Sequence, residues 1–453
     1  MDFFTSGRIL KEINNTILVL VLKVPNATTL DDFRPIVCYN TIYKIITKLL
    51  ANRVASVLKD LVSSCQSAFV KGRRIRDNIL LAQELFSNFH LEPYSPKCAV
   101  KVDFRKAYDT VDWRFLESVL LTFRFPDCLV QFIKTCVLTP RFSIALRELH
   151  GFFPSRHGLR QGDPISPYLF TLVMEVLSGI LRRCSLQPDF SFLWRCRSTS
   201  LSHLFFADDV FLFCKGHVPS VTLLKEEGSL PVRYLGVPII TSRLRKIDCV
   251  VLVRHITSRV KSWTHRFLSF AGHLQLIRQF LWRGPELGRG GAKVSWDDVC
   301  LPEAEGGLGI RRLHECNKAA MLKYIWILFS DNESLWCKWI HSTFLKRKNS
   351  WVTTKLTSCS WAWKKILQIR TEFRLSFFWM IGVGLSVSLQ FDNWHPRGPL
   401  NLYFSDPLIY SSGLSRQALV ADLFSEDGQV VKTVLESWGL PLPFLSGDQD
   451  CFC

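Results

Sequence analysis

The sequence lacks a cysteine framework, a secretion signal and a membrane-spanning run. Its 15 cysteines are odd in number, and no two of them have the C-x-x-C spacing. This pattern predicts reduced thiols and gives no support to a zinc site. No signal peptide is visible at the N-terminus, so we expect a nuclear or cytoplasmic protein that is not secreted.

Apolar runs are too short to predict a membrane partner. The best candidate, residues 375–389 (LSFFWMIGVGLSVSL), is shorter than the ~20 residues that a spanning helix needs. Its glycines and β-branched residues favour buried strands instead.

Positive charge is abundant. The chain of 453 residues has 57 Lys and Arg against 39 Asp and Glu, a net charge of +18. Such an excess predicts a polyanionic partner, with nucleic acid first and an acidic membrane surface second. A protein that is basic without such a partner is the plain alternative. The hydrophobic content of 48% is sufficient for a large core and excludes wholesale disorder.

Hydrophobic periodicity predicts both strands and helices in the first half of the chain. The predicted strands are residues 17–24 and 99–104, with a hairpin over 142–153. The predicted helices cover residues 42–61, a segment begun by Asp77, a segment begun by Asp109 or Thr110, and residues 168–183 with Ser166 as N-cap and Pro167 in the first turn.

Two adjacent aspartates, Asp208 and Asp209, lie inside the apolar run LFFADDVFLF (204–213). Unpaired buried carboxylates are costly and repel each other, so a cation is expected beside them. The nearest basic residue in sequence is Lys215. A tight hairpin turn would direct both carboxylates to one point, whereas in a straight strand they would face opposite ways.

A third carboxylate, Asp103, ends the strand at 99–104. Three converging carboxylates are compatible when divalent cations lie between them, and oxygen ligands favour Mg²⁺ or Mn²⁺. Two such ions about 4 Å apart are the arrangement for in-line phosphoryl transfer.

Several motifs occur in an order that resembles a known family. The segments VDFRKAYDTVDW, RQGDPISPYLF and FFADDVFLF resemble the A, B and C palm motifs of reverse transcriptases, in particular those of plant LINE-type (non-LTR) retrotransposons. FRPI and QSAFVKGRRIRDN resemble the finger motifs of that family, and YLGVP resembles its primer grip. The resemblance implies an RNA-directed DNA polymerase whose partners are an RNA template, a DNA primer and dNTPs, with Mg²⁺ or Mn²⁺ as cofactor.

The implied fold is an α+β right-hand polymerase fold with fingers, palm, partial thumb and a Trp-rich C-terminal module. Fingers and palm would occupy residues 1–222, and a shortened palm end, primer grip and thumb remnant residues 223–280. The module would occupy residues 281–453, because 11 of the 14 tryptophans lie between Trp282 and Trp438.

The resemblance also assigns roles to single residues. The catalytic metal ligands would be Asp103, Asp208 and Asp209, with the carbonyl of Phe104. Nucleotide-binding residues would be Tyr108, which would exclude a ribose 2′-OH, and Gln161, Gly162, Arg34 and Arg73. Nucleic-acid contacts would come from Lys71, Arg74, Arg76, Arg160, Tyr234 and Gly236.

The chain departs from the family pattern at several points. Only 24 residues separate Asp209 from Tyr234, which is too few for the helix and strand that normally follow the metal hairpin. A second shortening near residues 276–278 would cut into the thumb. The endonuclease domain usual upstream in such elements is not expected in this sequence. We therefore expect an internally shortened polymerase.

Several alternatives remain open on the sequence alone. An inactive nucleic-acid-binding remnant would keep the basic surface without turnover, and a two-metal nuclease would explain the aspartates but not the RQGDP segment. Individual residues have plainer roles available. Asp208 and Asp209 could form a solvated turn, Asp109 and Asp112 could cap helices, and Gln161 could cap the following helix. Tyr108 and the tryptophans could be core, and residues 71–76 a solvated face.

Overall fold

The computed structural model describes most of the chain outside residues 240–294. The described residues are 3–22, 28–29, 32–87, 96–104, 106–145, 148–222, 232–234, 237–239, 295–330, 333–346, 349–353, 359–403, 415–424, 432–433, 435–436 and 449–452. The chain divides into two compact units. The first contains residues 1–82, 89–237 and 334–339, and the second contains residues 83–88, 238–333 and 340–453.

Helices and strands are interspersed between residues 3 and 239. In chain order they are α1 (Phe3–Ser6), β1 (Asn15–Leu22), β2 (Phe33–Tyr39), α2 (Thr41–Leu61), α3 (Ile75–Phe86), β3 (Lys97–Asp103), α4 (Trp113–Thr122), α5 (Asp127–Leu138), β4 (Arg141–Ala145), β5 (Leu149–Pro154), α6 (Ser166–Ser185), β6 (His203–Phe206), β7 (Asp209–Lys215), α7 (Val218–Thr222), β8 (Val232–Tyr234) and β9 (Val237–Ile239).

The later part of the chain contains further elements. These are α8 (Trp296–Val299), α9 (Leu313–Ser330), α10 (Leu335–Ile340), α11 (Trp361–Glu372), β10 (Trp379–Met380) and β11 (Cys451–Phe452). Among the described residues, no helix is long and apolar enough to cross a membrane.

The first unit contains two larger sheets. A four-stranded sheet has the order β2-β1-β4-β5, in which β1 pairs antiparallel with β2 and parallel with β4. A three-stranded antiparallel sheet has the order β3-β7-β6 and carries the aspartates at one end. Strands β8 and β9 form a further two-stranded sheet.

Helices α2, α4, α5 and α6 supply most of the hydrophobic core of the first unit. Tyr43, Leu50, Leu120 and Leu169 are among its buried members, and Phe205 of β6 joins the same cluster. The helix starts follow from capping, since Asn40 Oδ1 accepts from Ile42 N at 2.9 Å to begin α2. The sheet with the aspartates is therefore held against a helical core.

The predicted elements are present, with differences at their ends. Helix α4 begins at Trp113, because the N-cap is Asp112, whose Oδ1 accepts from Phe115 N at 2.9 Å. The expected start at Asp109 or Thr110 was wrong, since these residues form a 3₁₀ turn. Ser166 is the first residue of α6 rather than its N-cap. Asp77 lies in the first turn of α3 instead of preceding it.

Aromatic side chains form the core of the second unit. The Phe452 ring lies 4.6 Å from Phe329, 5.3 Å from Phe377 and 5.1 Å from Trp379, measured between ring centroids. Trp351, Trp363, Trp379 and Trp394 are buried. For these four, the core interpretation of the tryptophans is correct. Within residues 375–389, only Trp379 and Met380 form a strand, the short β10, so the expected buried strands there were wrong in extent.

The predicted domain boundaries cannot be located on these elements. The division after residue 222 and the division after residue 280 both fall at or within segments outside the described residues. The three-part division therefore stays a prediction. Residues 334–339, which were assigned to the Trp-rich module, belong to the first unit, where Trp339 Nε1 donates to Arg195 O at 2.8 Å.

Candidate active site

A two-residue turn carries the acidic centre. Phe206 of β6 pairs with Asp209 of β7, so Ala207 and Asp208 form the turn between the strands. Ala207 has φ 54°, in the left-handed region that costs a residue with a Cβ roughly 1–2 kcal/mol. Both aspartates are partly exposed, and the predicted hairpin is confirmed.

Backbone pairing brings the third aspartate to the same end of the sheet. Asp103, the last residue of β3, lies opposite Asp209 in the antiparallel register. Directly opposite residues of such strands have Cα atoms about 4.5–5.5 Å apart. Asp208 lies in the turn and directly precedes Asp209. The backbone therefore gathers three carboxylate residues within the span of a divalent-metal site.

The donor chemistry fits Mg²⁺ or Mn²⁺, because the three aspartates supply only oxygen. The side chain of Asp103 lies outside the described residues, as does that of Arg34. Among the side chains that are described, no cluster of three His, Cys, Asp or Glu residues could hold a metal ion. The fit therefore rests on the strand register and the turn.

Lys101 supplies a cation that the sequence interpretation missed. Its Nζ lies 3.1 Å from Asp209 Oδ1, with both side chains about a quarter exposed. The interpretation considered Lys215, which is closer in sequence but lies at the opposite end of β7. The signal that could have found Lys101 is its position two residues before Asp103, on the strand that pairs with β7.

Tyr108 lies beside the acidic centre and also packs in the core. Its ring stacks on Phe170 at 4.5 Å between centroids. Burial, together with the negative charge of Asp208, raises the pKa of Tyr108 to about 12. Both interpretations of Tyr108 are thus compatible, because one face packs on α6 while the phenol lies in the field of Asp208.

The loop between β5 and α6 is tied to the turn that contains Tyr108. Leu159 N donates to Tyr108 O at 2.7 Å, and Gly158 N donates to Val111 O at 2.8 Å. A Cβ on Gly158 would lie 2.7 Å from Asp109 O, and its φ of 93° also favours glycine. Gly158, which the sequence interpretation did not single out, permits this close approach.

Gln161 and Gly162 are exposed at the end of that loop. Gly162 has φ 88°, and the Gln161 carbonyl accepts from Tyr39 Oη at 2.5 Å. A pocket of about 310 Å³ lies beside Gln161, with a mostly apolar lining that includes Trp113, Phe142 and Phe153. Asp208 and Asp209 are not among its lining residues, so we assign the pocket no part in the chemistry of the aspartates.

Arg160 is buried, which disagrees with the predicted contact to nucleic acid. Its guanidinium donates to Thr16 Oγ1 at 3.0 Å, to Cys136 O at 2.8 Å and to the hydroxyl of Tyr43. Tyr43 in turn donates to Asp163 Oδ2 at 2.6 Å. The arginine and aspartate of RQGDP therefore join α2, α5 and the loop before α6. The charge is used inside the protein and is not presented to a phosphate.

Arg73 is likewise engaged with the backbone instead of being directed toward a nucleotide. Its guanidinium donates to the carbonyls of residues that end or follow α2: Ser63 at 2.5 Å, Gln66 at 2.7 Å, Val62 at 2.7 Å and Lys59 at 3.2 Å. A cation at a helix C-terminus satisfies carbonyls that lack helical partners. The position does not support the predicted triphosphate contact.

The other basic residues of this segment differ in exposure. Lys71 and Arg76 are exposed, as nucleic-acid contacts need, and Arg74 is half-buried. Phe104 is half-buried directly after β3. The side chain of Tyr234 and all of Gly236 lie outside the described residues, although the backbone of Tyr234 ends β8.

Gln66 and Asn78 hold the hairpin β6–β7 that carries the two aspartates. Gln66 Oε1 accepts from Ala207 N at 3.2 Å, and Asn78 Nδ2 donates to Phe205 O at 3.0 Å. Both side chains are buried, at 1% and 2% exposure. The sequence interpretation placed them in a basic loop motif, yet these amides position the turn before Asp208. The signal that could have identified Gln66 and Asn78 is their position, as the first and last residues of the segment QSAFVKGRRIRDN.

The turn with Asp208 and Asp209 thus lies opposite Asp103 and close to Tyr108. Residues 23–238 match the family model described as "Reverse transcriptase (RNA-dependent DNA polymerase)". This segment is similar to reverse transcriptase domains. The match, together with the sheet β3-β7-β6, confirms the predicted α+β right-hand polymerase fold, while the predicted thumb falls mostly outside the described residues.

Relatives of this domain include transposon proteins. The chain is 28% identical over 188 residues to the "Transposon TX1 uncharacterized 149 kDa protein" of Xenopus laevis, covering 40% of this chain and 14% of that protein. It is 27% identical over 199 residues to the Pol polyprotein of the type-1 retrotransposable element R2 of Nasonia vitripennis, covering 44% of this chain and 18% of that protein. The chain thus spans less than a fifth of the length of these two relatives.

Solved structures give a weaker likeness. Apo telomerase from Candida tropicalis, truncated from its C-terminal domain, aligns with a TM-score of 0.32 and 12% identity. The alignment covers 48% of this chain and 46% of that one.

Proposed function

We propose that this chain is the polymerase part of a LINE-type (non-LTR) retrotransposon protein of plant type, which extends a DNA primer along an RNA template. The observation that carries the proposal is the acidic centre, where Asp208 lies in a two-residue turn and Asp103 pairs opposite Asp209. The reverse transcriptase domain and its transposon relatives support the same reaction. The plant type rests on the resemblance of the palm and finger motifs.

The residues at the acidic centre have separable tasks. Asp103, Asp208 and Asp209 would hold the divalent metal. Bound Mg²⁺ or Mn²⁺ supplies Lewis-acid activation of the primer 3′-OH and charge stabilisation on the phosphates. Tyr108, beside Asp208 and fixed on Phe170, would bound the site of the incoming sugar. Gly162 and the exposed Gln161 would line the nucleotide site from the loop.

The remaining partners follow from charge and chemistry. Exposed cations such as Lys71 and Arg76 would hold template or primer phosphates. The substrates would be dNTPs, and the protein would act in the nucleus or cytoplasm, where its thiols stay reduced.

Primer extension tests the proposal. The full chain receives an RNA template, an annealed DNA primer, labelled dNTPs and Mg²⁺ or Mn²⁺. Asp208→Asn and Asp209→Asn should each lower the extension rate by roughly 10³-fold, since losing a metal ligand costs several kcal/mol of transition-state stabilisation. Asp60→Asn, an exposed carboxylate of α2, is the matched control and should extend as the wild type does.

The same assay separates the two alternatives. Template binding without extension in the wild type would contradict the proposal and favour the inactive binding remnant. Cleavage of labelled nucleic acid without dNTPs, abolished by the aspartate variants, would favour a nuclease.

A further inference from the structure

Two cysteines face each other across the sheet that carries the aspartates. Cys98 of β3 lies opposite Cys214 of β7 in the antiparallel register, and their thiols are hydrogen-bonded to each other. Opposite residues in such strands have Cα atoms about 4.5–5.5 Å apart. A disulfide needs a Cα separation of about 4.4–6.8 Å. The backbone at this position therefore already has the spacing of a disulfide.

The two thiols differ in access. Cys98 is half-buried, whereas Cys214 has 0% exposure in the interior of the sheet. The hydrogen bond from Cys214 lowers the pKa of Cys98, with burial acting in the opposite direction. The same hydrogen bond, together with burial, raises the pKa of Cys214. Cys98 is therefore both the more accessible thiol and the one with the lowered pKa. The protonated thiol of Cys214 lies against it.

We propose that Cys98 and Cys214 form a reversible thiol-oxidation site, with a hydroperoxide as oxidant. The Cys98 thiolate attacks the peroxide, so that an S–O bond forms, the O–O bond breaks and hydroxide or an alkoxide leaves. The Cys214 sulfur, giving up its proton, then attacks the Cys98 sulfenic acid. An S–S bond forms, the S–O bond breaks and water leaves. The two thiols supply the two electrons that reduce the peroxide.

Oxidation would link the two strands that carry Asp103 and Asp209. The disulfide closes a long loop, from β3 to β7, and so restricts the unfolded chain. We expect the melting temperature to rise on oxidation by roughly 5 °C or more, and to return after treatment with dithiothreitol. The chemistry belongs to the thiols alone and does not depend on polymerase activity.

Peptide mapping of the full chain tests the site. The protein is treated with hydrogen peroxide under native conditions, alkylated with iodoacetamide, and digested without reduction. The expected product is the Cys98–Cys214 linked peptide, formed before the exposed thiols Cys38 and Cys128 are oxidised. Exposed cysteines oxidised to completion with no linked peptide would overturn the proposal.

Single variants resolve the order of the two steps. In Cys214→Ser, Cys98 keeps its access but loses its resolving thiol, so trapping of its sulfenic acid by dimedone should rise at least several-fold. In Cys98→Ser, the buried Cys214 should stay reduced. Equal dimedone labelling of Cys98 in wild type and Cys214→Ser would show that no disulfide step follows. If a variant fails to fold, the peptide map of the wild type still tests the proposal.

Discussion

At the acidic centre, Lys101 and the divalent metal would share one carboxylate. The ammonium lies 3.1 Å from Asp209 Oδ1, so it occupies a lone pair that a metal ion would otherwise use. Its charge also lowers the negative potential around Asp208 and Asp209. The ammonium of Lys101 would therefore compete with a bound divalent metal ion for the carboxylate of Asp209.

Lys101→Met should therefore tighten binding of the metal alone. Methionine keeps a similar length without charge, so the Kd for Mn²⁺, measured by electron paramagnetic resonance without nucleic acid or dNTPs, should fall several-fold. Lys97→Met, at the other end of β3, is the control and should leave the Kd unchanged. Weaker Mn²⁺ binding in Lys101→Met would mean that the lysine orders Asp209 for the metal instead of competing with it.

The burial of His203 predicts that the free energy of unfolding depends on pH. It is buried, with Nε2 2.9 Å from Ser178 Oγ and Nδ1 2.9 Å from Ser202 Oγ. Burial, aided by the charge of Arg182, lowers its pKa to about 4. The unfolded chain protonates histidine near 6.5, so between about pH 6.5 and 4 the unfolded state binds more protons. The stabilisation from a neutral His203 is therefore present above about pH 6.5 and is lost as the pH falls toward 4.

Urea unfolding between pH 7 and pH 5 checks this dependence. The free energy of unfolding should decrease less steeply with falling pH in His203→Gln than in the wild type. His150→Gln, an exposed histidine, should keep the wild-type slope. Identical slopes in all three proteins would show that His203 does not control this range.

At the scale of elements, the hairpin β6–β7 depends on the segment that precedes α3. Besides the amides of Gln66 and Asn78, the backbone of this segment bonds to β6: Phe205 N donates to Cys65 O at 2.9 Å and Ser67 N donates to Phe205 O at 3.2 Å. The strained Ala207 is held by Gln66 within this frame. Residues 65–67, together with Asn78 of α3, thus position the turn that carries Asp208.

Gln66→Met should loosen that turn. Methionine has a similar volume but leaves the buried N–H groups of Ala68 and Ala207 without their acceptor, which costs about 1–3 kcal/mol. We expect this loss in the free energy of unfolding, measured with urea. The extension rate should also fall by more than the template affinity does. Gln131→Met, on the exposed face of α5, is the matched control. A normal extension rate in a destabilised Gln66→Met would confine Gln66 to a folding role.

At the scale of the whole molecule, the net charge of +18 should make nucleic-acid binding dependent on salt. Binding of an RNA–DNA duplex, followed by fluorescence anisotropy, should weaken by roughly 10³-fold or more between 50 and 200 mM salt if six or more phosphates are contacted. Arg76→Gln, which removes an exposed charge, should reduce the slope of log K against log salt by about one.

Arg73→Gln gives the contrast for the same experiment. The guanidinium of Arg73 donates to backbone carbonyls, so the variant should have a lower free energy of unfolding than the wild type. Its salt slope should stay near that of the wild type. A salt slope reduced equally by both variants would restore the predicted phosphate contact of Arg73.

Charge patterns in the sequence could not separate these arginines. Arg73, Arg76 and Arg160 all lie in basic or family-like motifs, and each was predicted to contact nucleotide or nucleic acid. Whether an arginine contacts solvent or buried acceptors depends on residues distant along the chain, as with Arg160 and the hydroxyl of Thr16. Lys101 was not predicted for the same reason, because its partner Asp209 lies on another strand.

The sequence alone determined the acidic turn, the main helices and the resemblance to reverse transcriptases, because these depend on local patterning and on short motifs. Two aspartates in an apolar run require a turn, and periodic apolar residues such as those of α2 require a helix. The tertiary structure alone decided which cations remain at the surface, which amides hold the turn and which cysteines meet. Those outcomes depend on strand register and helix packing, which join residues distant in sequence.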